Sequence, residues 1–153
     1  MGATHLSGPL HVGDTETVNL AAADLTGTTT RFTVTGPIKV NELGFLVTTA
    51  IPAGANTCKF SFTPTGGSAT DLSGTTDTAS AGAQQLFLVN GTKATALVKT
   101  TDVGIRAAGQ NPTMGIILGS GVIQTIFSAG PPATGAVTCF IQWEPLTSTA
   151  KVE

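Results

Sequence analysis

The stretch Arg31–Gly67, RFTVTGPIKVNELGFLVTTAIPAGANTCKFSFTPTGG, decides the fold, because it holds three strand-like runs separated by turn signals. In the first run, Arg31–Thr35, Phe32 and Val34 alternate with polar residues, as a half-buried strand requires. The break at Gly36-Pro37 ends this run. The stretch therefore predicts neighbouring β-strands from its first residues.

The second run, Ile38–Thr49, is apolar but is interrupted by Asn41, Glu42 and Gly44. Polar residues and a glycine inside an apolar strand are typical of a bulge or of a strand that changes sheets. The turn Ile51–Asn56 ends this run. Either interpretation predicts one long, irregular strand.

The third run, Thr57–Thr63, alternates most regularly, with Cys58, Phe60 and Phe62 on one face. Pro64–Gly82 is polar and predicts a loop with a short edge strand.

Strands are also predicted at Asp14–Ala21, Gln84–Val89, Thr92–Lys99, Met114–Leu118, Val122–Phe127 and Val137–Trp143. Asn90-Gly91 predicts a two-residue type I′ hairpin turn. Eight to ten antiparallel strands without an amphipathic helix predict a single all-β domain, a jelly-roll-like β-sandwich over residues 14–153.

Composition restricts the class of protein. The chain has 153 residues, of which 10% are charged, against roughly 25% in typical soluble domains. A net charge of −2 with seven scattered Lys and Arg gives no basis for binding nucleic acid. Residues 107–143 contain no charged residue and no histidine. Their apolar runs are too short for a membrane span. They predict either central strands buried on both faces or a surface that faces an identical subunit.

The sequence shows no catalytic motif. Both histidines, His5 and His11, lie in Met1–Gly13, which has no regular period and predicts an extended N-terminal arm. Asp71 and Asp77 are the closest approach to a carboxylate pair. We therefore expect no enzymatic activity, no cofactor and no metal.

The two cysteines also lack a catalytic or metal-binding pattern. Cys58 and Cys139 fall on predicted strands, without a CxxC spacing. We expect reduced core thiols in a protein assembled in the cytosol, with a disulfide between the two sheets as the alternative.

Several segments carry a resemblance to a known family. They are Phe32-Thr33-Val34-Thr35-Gly36, Val47-Thr48-Thr49-Ala50, the closing Gln142-Trp143-Glu144-Pro145-Leu146-Thr147-Ser148 and the N-terminal His5-Leu6-Ser7-Gly8-Pro9. Together they resemble small virion proteins of tailed bacteriophages. The resemblance implies a head decoration, or cement, protein: a trimeric β-sandwich on the capsid exterior at junctions between major capsid subunits, assembled in the host cytoplasm.

On this interpretation the protein would stabilise the shell by bridging capsid subunits. We expect contacts with the capsid or a neighbouring subunit from the arm and from the loop Thr65–Thr78, through His5, Leu6, Pro9, Leu10, His11, Asp71 and Asp77. One alternative is a tail- or fibre-associated module that recognises a host surface glycan, which predicts aromatic side chains in exposed loops. Another is a subunit of a non-viral assembly or a secreted adhesin.

Overall fold

The chain forms two antiparallel β-sheets packed face to face. The computed structural model describes residues 14–91, 95–99, 115–128 and 130–153. Within them the only helix is a three-residue 3-10 turn, Ala22–Asp24. The strands are β1 (Asp14–Ala21), β2 (Gly27–Thr35), β3 (Ile38–Thr49), β4 (Thr57–Pro64), β5 (Thr70–Asp71), β6 (Thr76–Asp77), β7 (Leu86–Leu88), β8 (Val98–Lys99), β9 (Ile116–Leu118), β10 (Gly121–Phe127), β11 (Ala136–Pro145) and β12 (Lys151–Val152). The predicted all-β sandwich is confirmed, with eight strands of three residues or more. The predicted arm lies outside the described residues.

The order of the strands is that of a jelly roll. In the first sheet the order is β1-β11-β3-β7-β8, and β9 also pairs with β3. In the second sheet it is β12-β2-β10-β4-β5, and β6 also pairs with β4. The antiparallel pairs β1–β11, β2–β10, β3–β7 and β4–β5 thus alternate between the two sheets, as in a long hairpin wrapped around a sandwich.

The apolar face of each strand points between the sheets. Phe45 of the first sheet is stacked on Phe87, with ring centroids 4.7 Å apart, and is 6.3 Å from Phe60 of the second sheet. All three side chains are fully buried. The stacked pair thus lies within the first sheet, and the contact of Phe45 with Phe60 joins the two sheets in the core.

A β-bulge explains the irregular second run. Gln142 of β11 is opposite Glu42, but the next residue, Trp143, is opposite Val40, so Asn41 is an extra residue in β3. The buried apolar side chains of β3 therefore change from even to odd positions, from Val40 to Leu43. The predicted bulge is confirmed. The Asn41 side chain donates to Glu144 Oε1 at 2.7 Å.

A second bulge brings a charge into the core. Ile123 of β10 is opposite Phe32 and Gln124 is opposite Thr30, so Arg31 is the extra residue in β2. Because the bulge turns Arg31 and Phe32 to the same side, both are buried. Arg31 Nε donates to Thr125 Oγ1 at 2.7 Å, and its Nη2 donates to the Asp24 carbonyl at 2.9 Å. Alternation alone does not predict this buried arginine.

The predicted two-residue hairpin at Asn90-Gly91 is wrong. Leu88 of β7 is paired with Val98 of β8, so residues 89–97 connect the two strands. This connection reaches towards the second sheet: Leu97 is buried, and its N–H donates to Thr76 Oγ1 at 2.7 Å. Contacts outside the hairpin therefore set the register.

The uncharged segment supplies the central strands of both sheets. β10 lies between β2 and β4, and β11 lies between β1 and β3. Along both strands buried residues alternate with half-buried ones, such as Gln124 in β10 and Thr138 in β11. These strands are therefore covered on one face only. The prediction that they are buried on both faces is wrong.

The strand β1 forms an edge of the first sheet, with β11 as its only neighbour among the described residues. The side chains of Glu16, Val18 and Leu20 share its inward face, and Glu16 is half-buried there. The first described pair of β1 with β11 is Asp14 opposite Trp143. Two positions beyond Trp143 the partner strand reaches Pro145, which has no N–H to offer to a neighbouring strand.

Candidate interaction surface

Four connections between strands meet at one end of the sandwich. Ser120 lies at their centre: its hydroxyl accepts from the Gly36 N–H and its carbonyl accepts from the Thr65 N–H, both at 2.9 Å. The Leu146 N–H donates to the Pro37 carbonyl at 3.0 Å. We call this region, residues 36–37, 65–69, 119–120 and 146–150, the Ser120 end.

The backbone at the Ser120 end is closely packed. A Cβ at Gly121 would lie 2.4 Å from the Thr63 carbonyl oxygen and 2.7 Å from the Phe62 ring. No side chain fits at such distances without moving the backbone. The connections at this end are thus fixed by packing as well as by hydrogen bonds.

Two exposed apolar side chains lie at or beside the Ser120 end. Ile117 is 66% exposed and Leu146 is 47% exposed, and no other large apolar side chain of the described residues is exposed. Ile117 faces outward because it is opposite Lys39, whereas its neighbours Ile116 and Leu118 are opposite the inward-facing Val40 and Ile38. Exposed apolar side chains grouped in one region are typical of interaction surfaces.

A groove of about 380 Å³ opens beside Leu146. Its apolar walls are Trp143, Pro145, Leu146 and Ala150, and its polar residues are Asp14, Thr147 and Ser148. Trp143 is 4% exposed. In the part of the chain that the structure describes, no group accepts a hydrogen bond from Trp143 Nε1. The groove thus lies next to a buried donor without a partner.

A second cleft, of about 350 Å³, lies at the side of the sandwich near Ile117. It is lined by Phe62, Pro64, Thr70, Leu72, Gly91, Ile116, Ile117, Leu118 and Gly119. Most of these residues are apolar, and they belong to strands of both sheets and to adjoining turns. Both grooves therefore place apolar surface beside the Ser120 end.

The opposite end carries a groove of about 520 Å³ between the ends of β1, β3 and β11, and a smaller cavity of about 250 Å³ between residues 52–56 and 130–133. Asn56 lies at this cavity and is 5% exposed. Its backbone carbonyl accepts from the Thr78 N–H and hydroxyl, at 2.9 and 3.0 Å. Neither polar atom of its side chain has a hydrogen-bond partner within the described ranges. The walls are small residues and prolines, without an exposed large apolar side chain.

The structure separates the predicted contact residues. Asp71 accepts from Lys59 Nζ at 2.8 Å, and Asp77 accepts from the Ala79 N–H at 2.8 Å. The two aspartates are opposite Ser61 and Thr57 of β4, four residues or about 13 Å apart along the strand. They do not form a carboxylate pair. The predicted short edge strand in this loop is confirmed, since both lie on two-residue strands.

The predicted arm contacts His5, Leu6, Pro9, Leu10 and His11 lie outside the described residues. Among those described, no group of three His, Cys, Asp or Glu side chains could hold a metal ion. No helix within the described residues is long and apolar enough to cross a membrane.

The two cysteines are free and buried, as predicted for reduced core thiols. Burial raises the pKa of Cys58 well above its usual range, and the nearby Cys139 raises this pKa further. Burial also raises the pKa of Cys139 to about 12, although the Arg31 charge opposes the shift. Because the thiolate is the reactive form, neither thiol is prepared for nucleophilic chemistry.

Comparisons of the chain with protein-family models, with curated proteins and with solved structures found no match. The two exposed residues of the candidate interaction surface, Ile117 and Leu146, were not among the predicted contacts. The alternation within Ile116-Ile117-Leu118 contained a usable signal, because the middle of three consecutive apolar strand residues must face away from the other two.

Proposed function

We propose that this protein is a non-enzymatic structural component of a bacteriophage virion, a decoration protein that binds the outside of the head and bridges major capsid subunits. The observation that carries the proposal is the position of Ile117 and Leu146 at or beside one rigid end of the sandwich. Docking through this region would bury both side chains against another protein. The resemblance in Phe32–Gly36 and in the closing segment supplies the identity of the partner.

The distribution of aromatic residues favours this function over glycan recognition. All seven Phe and the single Trp lie on strands, and only Phe140 is not buried. Sugar-binding surfaces use exposed aromatic rings, and no loop of this chain contains one. We therefore keep the tail-associated module as the second candidate only.

The proposed mechanism is multivalent binding. In a trimer, the form that the resemblance implies, three copies of the docking surface would engage neighbouring capsid subunits at once. After the first contact forms, the second and third become intramolecular, with effective concentrations in the millimolar range for short connections. Contacts that are weak singly can then hold a shell together.

The test is co-sedimentation with mature heads of the parent virus from which the protein has been omitted. We expect saturable pelleting at a fixed ratio to the major capsid protein. Ile117→Asp and Leu146→Asp should each weaken binding about tenfold, because each places a charge at an apolar contact. Ala53→Asp, an equivalent change at an exposed residue of the opposite end, is the matched control.

Two results would contradict the proposal. If the folded protein does not pellet with the heads, it is not a head decoration protein, and glycan binding becomes the next experiment. If it pellets but Ala53→Asp weakens binding as much as Leu146→Asp does, the Ser120 end is not the docking surface.

A further inference from the structure

We infer that the groove beside Leu146 is the docking site of the chain's own N-terminal segment, Met1–Gly13. This inference does not depend on the proposed function. It rests on the position of the groove, the chemistry of its walls and the unpaired donor of Trp143.

Position is the first argument. Asp14 is both the first residue of β1 and a lining residue of the groove, so the preceding segment begins at the groove itself. On the partner strand, Pro145 has no N–H and the Leu146 N–H is already donated to the Pro37 carbonyl, so these two residues offer no free backbone donor to the preceding segment. Thirteen extended residues span up to about 43 Å, so the segment has ample length to lie across the groove.

Chemical complementarity is the second argument. The segment MGATHLSGPLHVG contains no Asp, Glu, Lys or Arg, and its larger apolar residues are Leu6, Pro9, Leu10 and Val12. The groove offers apolar walls from Trp143, Pro145, Leu146 and Ala150, with hydroxyl groups at Thr147 and Ser148. An uncharged segment can enter such a groove without the cost of desolvating a charge.

The unpaired indole N–H of Trp143 is the third argument. A buried donor without an acceptor costs about 1–3 kcal/mol, so buried polar groups in folded proteins almost always have partners. Every residue of an extended segment presents a backbone carbonyl. One such carbonyl reaching Trp143 Nε1 would satisfy the donor.

The same chain is a better source of the occupant than a second copy. A segment tethered at the groove has an effective concentration in the millimolar range or higher, whereas a second copy must bind from solution. Docking within one chain is therefore independent of protein concentration.

Trp143 is also the direct probe, because it is the only tryptophan and gives a single indole N–H signal in a ¹⁵N-labelled sample. We expect Leu6→Asp/Leu10→Asp in the full chain to shift this signal and to speed its exchange with solvent about tenfold, the factor for one lost hydrogen bond. Thr4→Ala, which changes neither the charge of the segment nor its larger apolar residues, is the control and should leave the signal in place.

Leu146, in the wall of the groove, supplies a second variant. Leu146→Asp should produce the same shift, and combining it with Leu6→Asp/Leu10→Asp should add little, because both changes remove one contact. An indole signal unmoved by either variant would overturn the inference. So would a shift in the control alone, or exchange protection that disappears on dilution, since the latter would make the occupant a second copy. Head binding is measured separately, so a failure here is distinguishable from a failure of the proposed function.

Discussion

The Ser120 end and the core around Arg31 depart from the usual distribution of residues in opposite ways. At the Ser120 end, apolar side chains are outside: Ile117 and Leu146 are exposed. In the core a cation is inside, but Arg31 has neutral oxygen acceptors at Thr125 and Asp24. A buried charged side chain whose hydrogen bonds are made within the fold has a structural explanation. A group of exposed apolar side chains indicates an interaction surface.

The largest loss of stability is expected at Gly121, next to the closely packed backbone of the Ser120 end. Gly121→Ala should lower the free energy of unfolding by about 3 kcal/mol, because the new methyl group would meet the Thr63 carbonyl. Gly119→Ala is the matched control, since its new methyl group would have no atom within 4 Å and stability should be unchanged or slightly higher. Urea unfolding measures both. Equal stability of the two variants would mean that this end is loosely packed.

In the core, Arg31→Met should cost about 2 kcal/mol, because it keeps the apolar volume but leaves Thr125 and the Asp24 carbonyl without a donor. Adding Thr125→Val should recover part of this loss, since the unpaired hydroxyl is removed. A variant Arg31→Met as stable as the parent would show that desolvation of the guanidinium cancels its hydrogen bonds, as in some buried ion pairs.

The cysteines beside Arg31 predict a pH dependence. Both thiols have a pKa above that of an unfolded thiol, so the folded state holds its protons more tightly. Their contribution is complete below about pH 8.5 and is lost as the pH rises towards the folded pKa, about 12 for Cys139. The free energy of unfolding should fall by up to about 1.4 kcal/mol per pH unit for each thiol. Unfolding of Cys139→Ala between pH 8 and 10.5 should show a smaller slope. An unchanged slope would contradict the assignment of this pH dependence to the Cys139 thiol.

The smallest effect is expected at Ile117, the more exposed of the two apolar residues. Ile117→Thr should change the free energy of unfolding by less than about 0.5 kcal/mol, because its side chain is not buried in the fold. Thermal unfolding is sufficient to measure this. A loss above about 1 kcal/mol would contradict the contrast with Arg31, since Ile117 would then have a structural role as well.

The fold could be predicted because its signals are local. Alternation in Asp14–Ala21 and Thr57–Thr63 defined strands whose bounds the structure reproduces to within a residue. The bulge in β3 was one of two interpretations of a local signal, the interruption of the apolar run by Asn41, Glu42 and Gly44, and the structure has the bulge.

The failures have a common physical cause, which is that contacts between distant segments were decisive. Asn90-Gly91 has the composition of a tight turn, but the bonds of residues 95–97 to the other sheet set a longer connection. Arg31 is polar in sequence and buried in the fold because Thr125, 94 positions away, accepts its hydrogen bond. The polar loop Thr65–Thr78 led to the prediction of Asp71 and Asp77 as contact residues. The exposure of Ile117 and Leu146, in contrast, depends on the turns that meet at Ser120.

The half-buried Glu16 on β1 has a consequence for how copies of this protein can associate. No described strand covers the outer edge of β1, whose eight residues of backbone another strand could extend into a continuous intermolecular sheet. A carboxylate on the inward face opposes such growth, because an added strand would seal that charge away from water. Open-ended filaments are thereby discouraged even at high local concentrations of the protein. Copies should meet through the faces or ends of the sandwich, which permits closed symmetric rings.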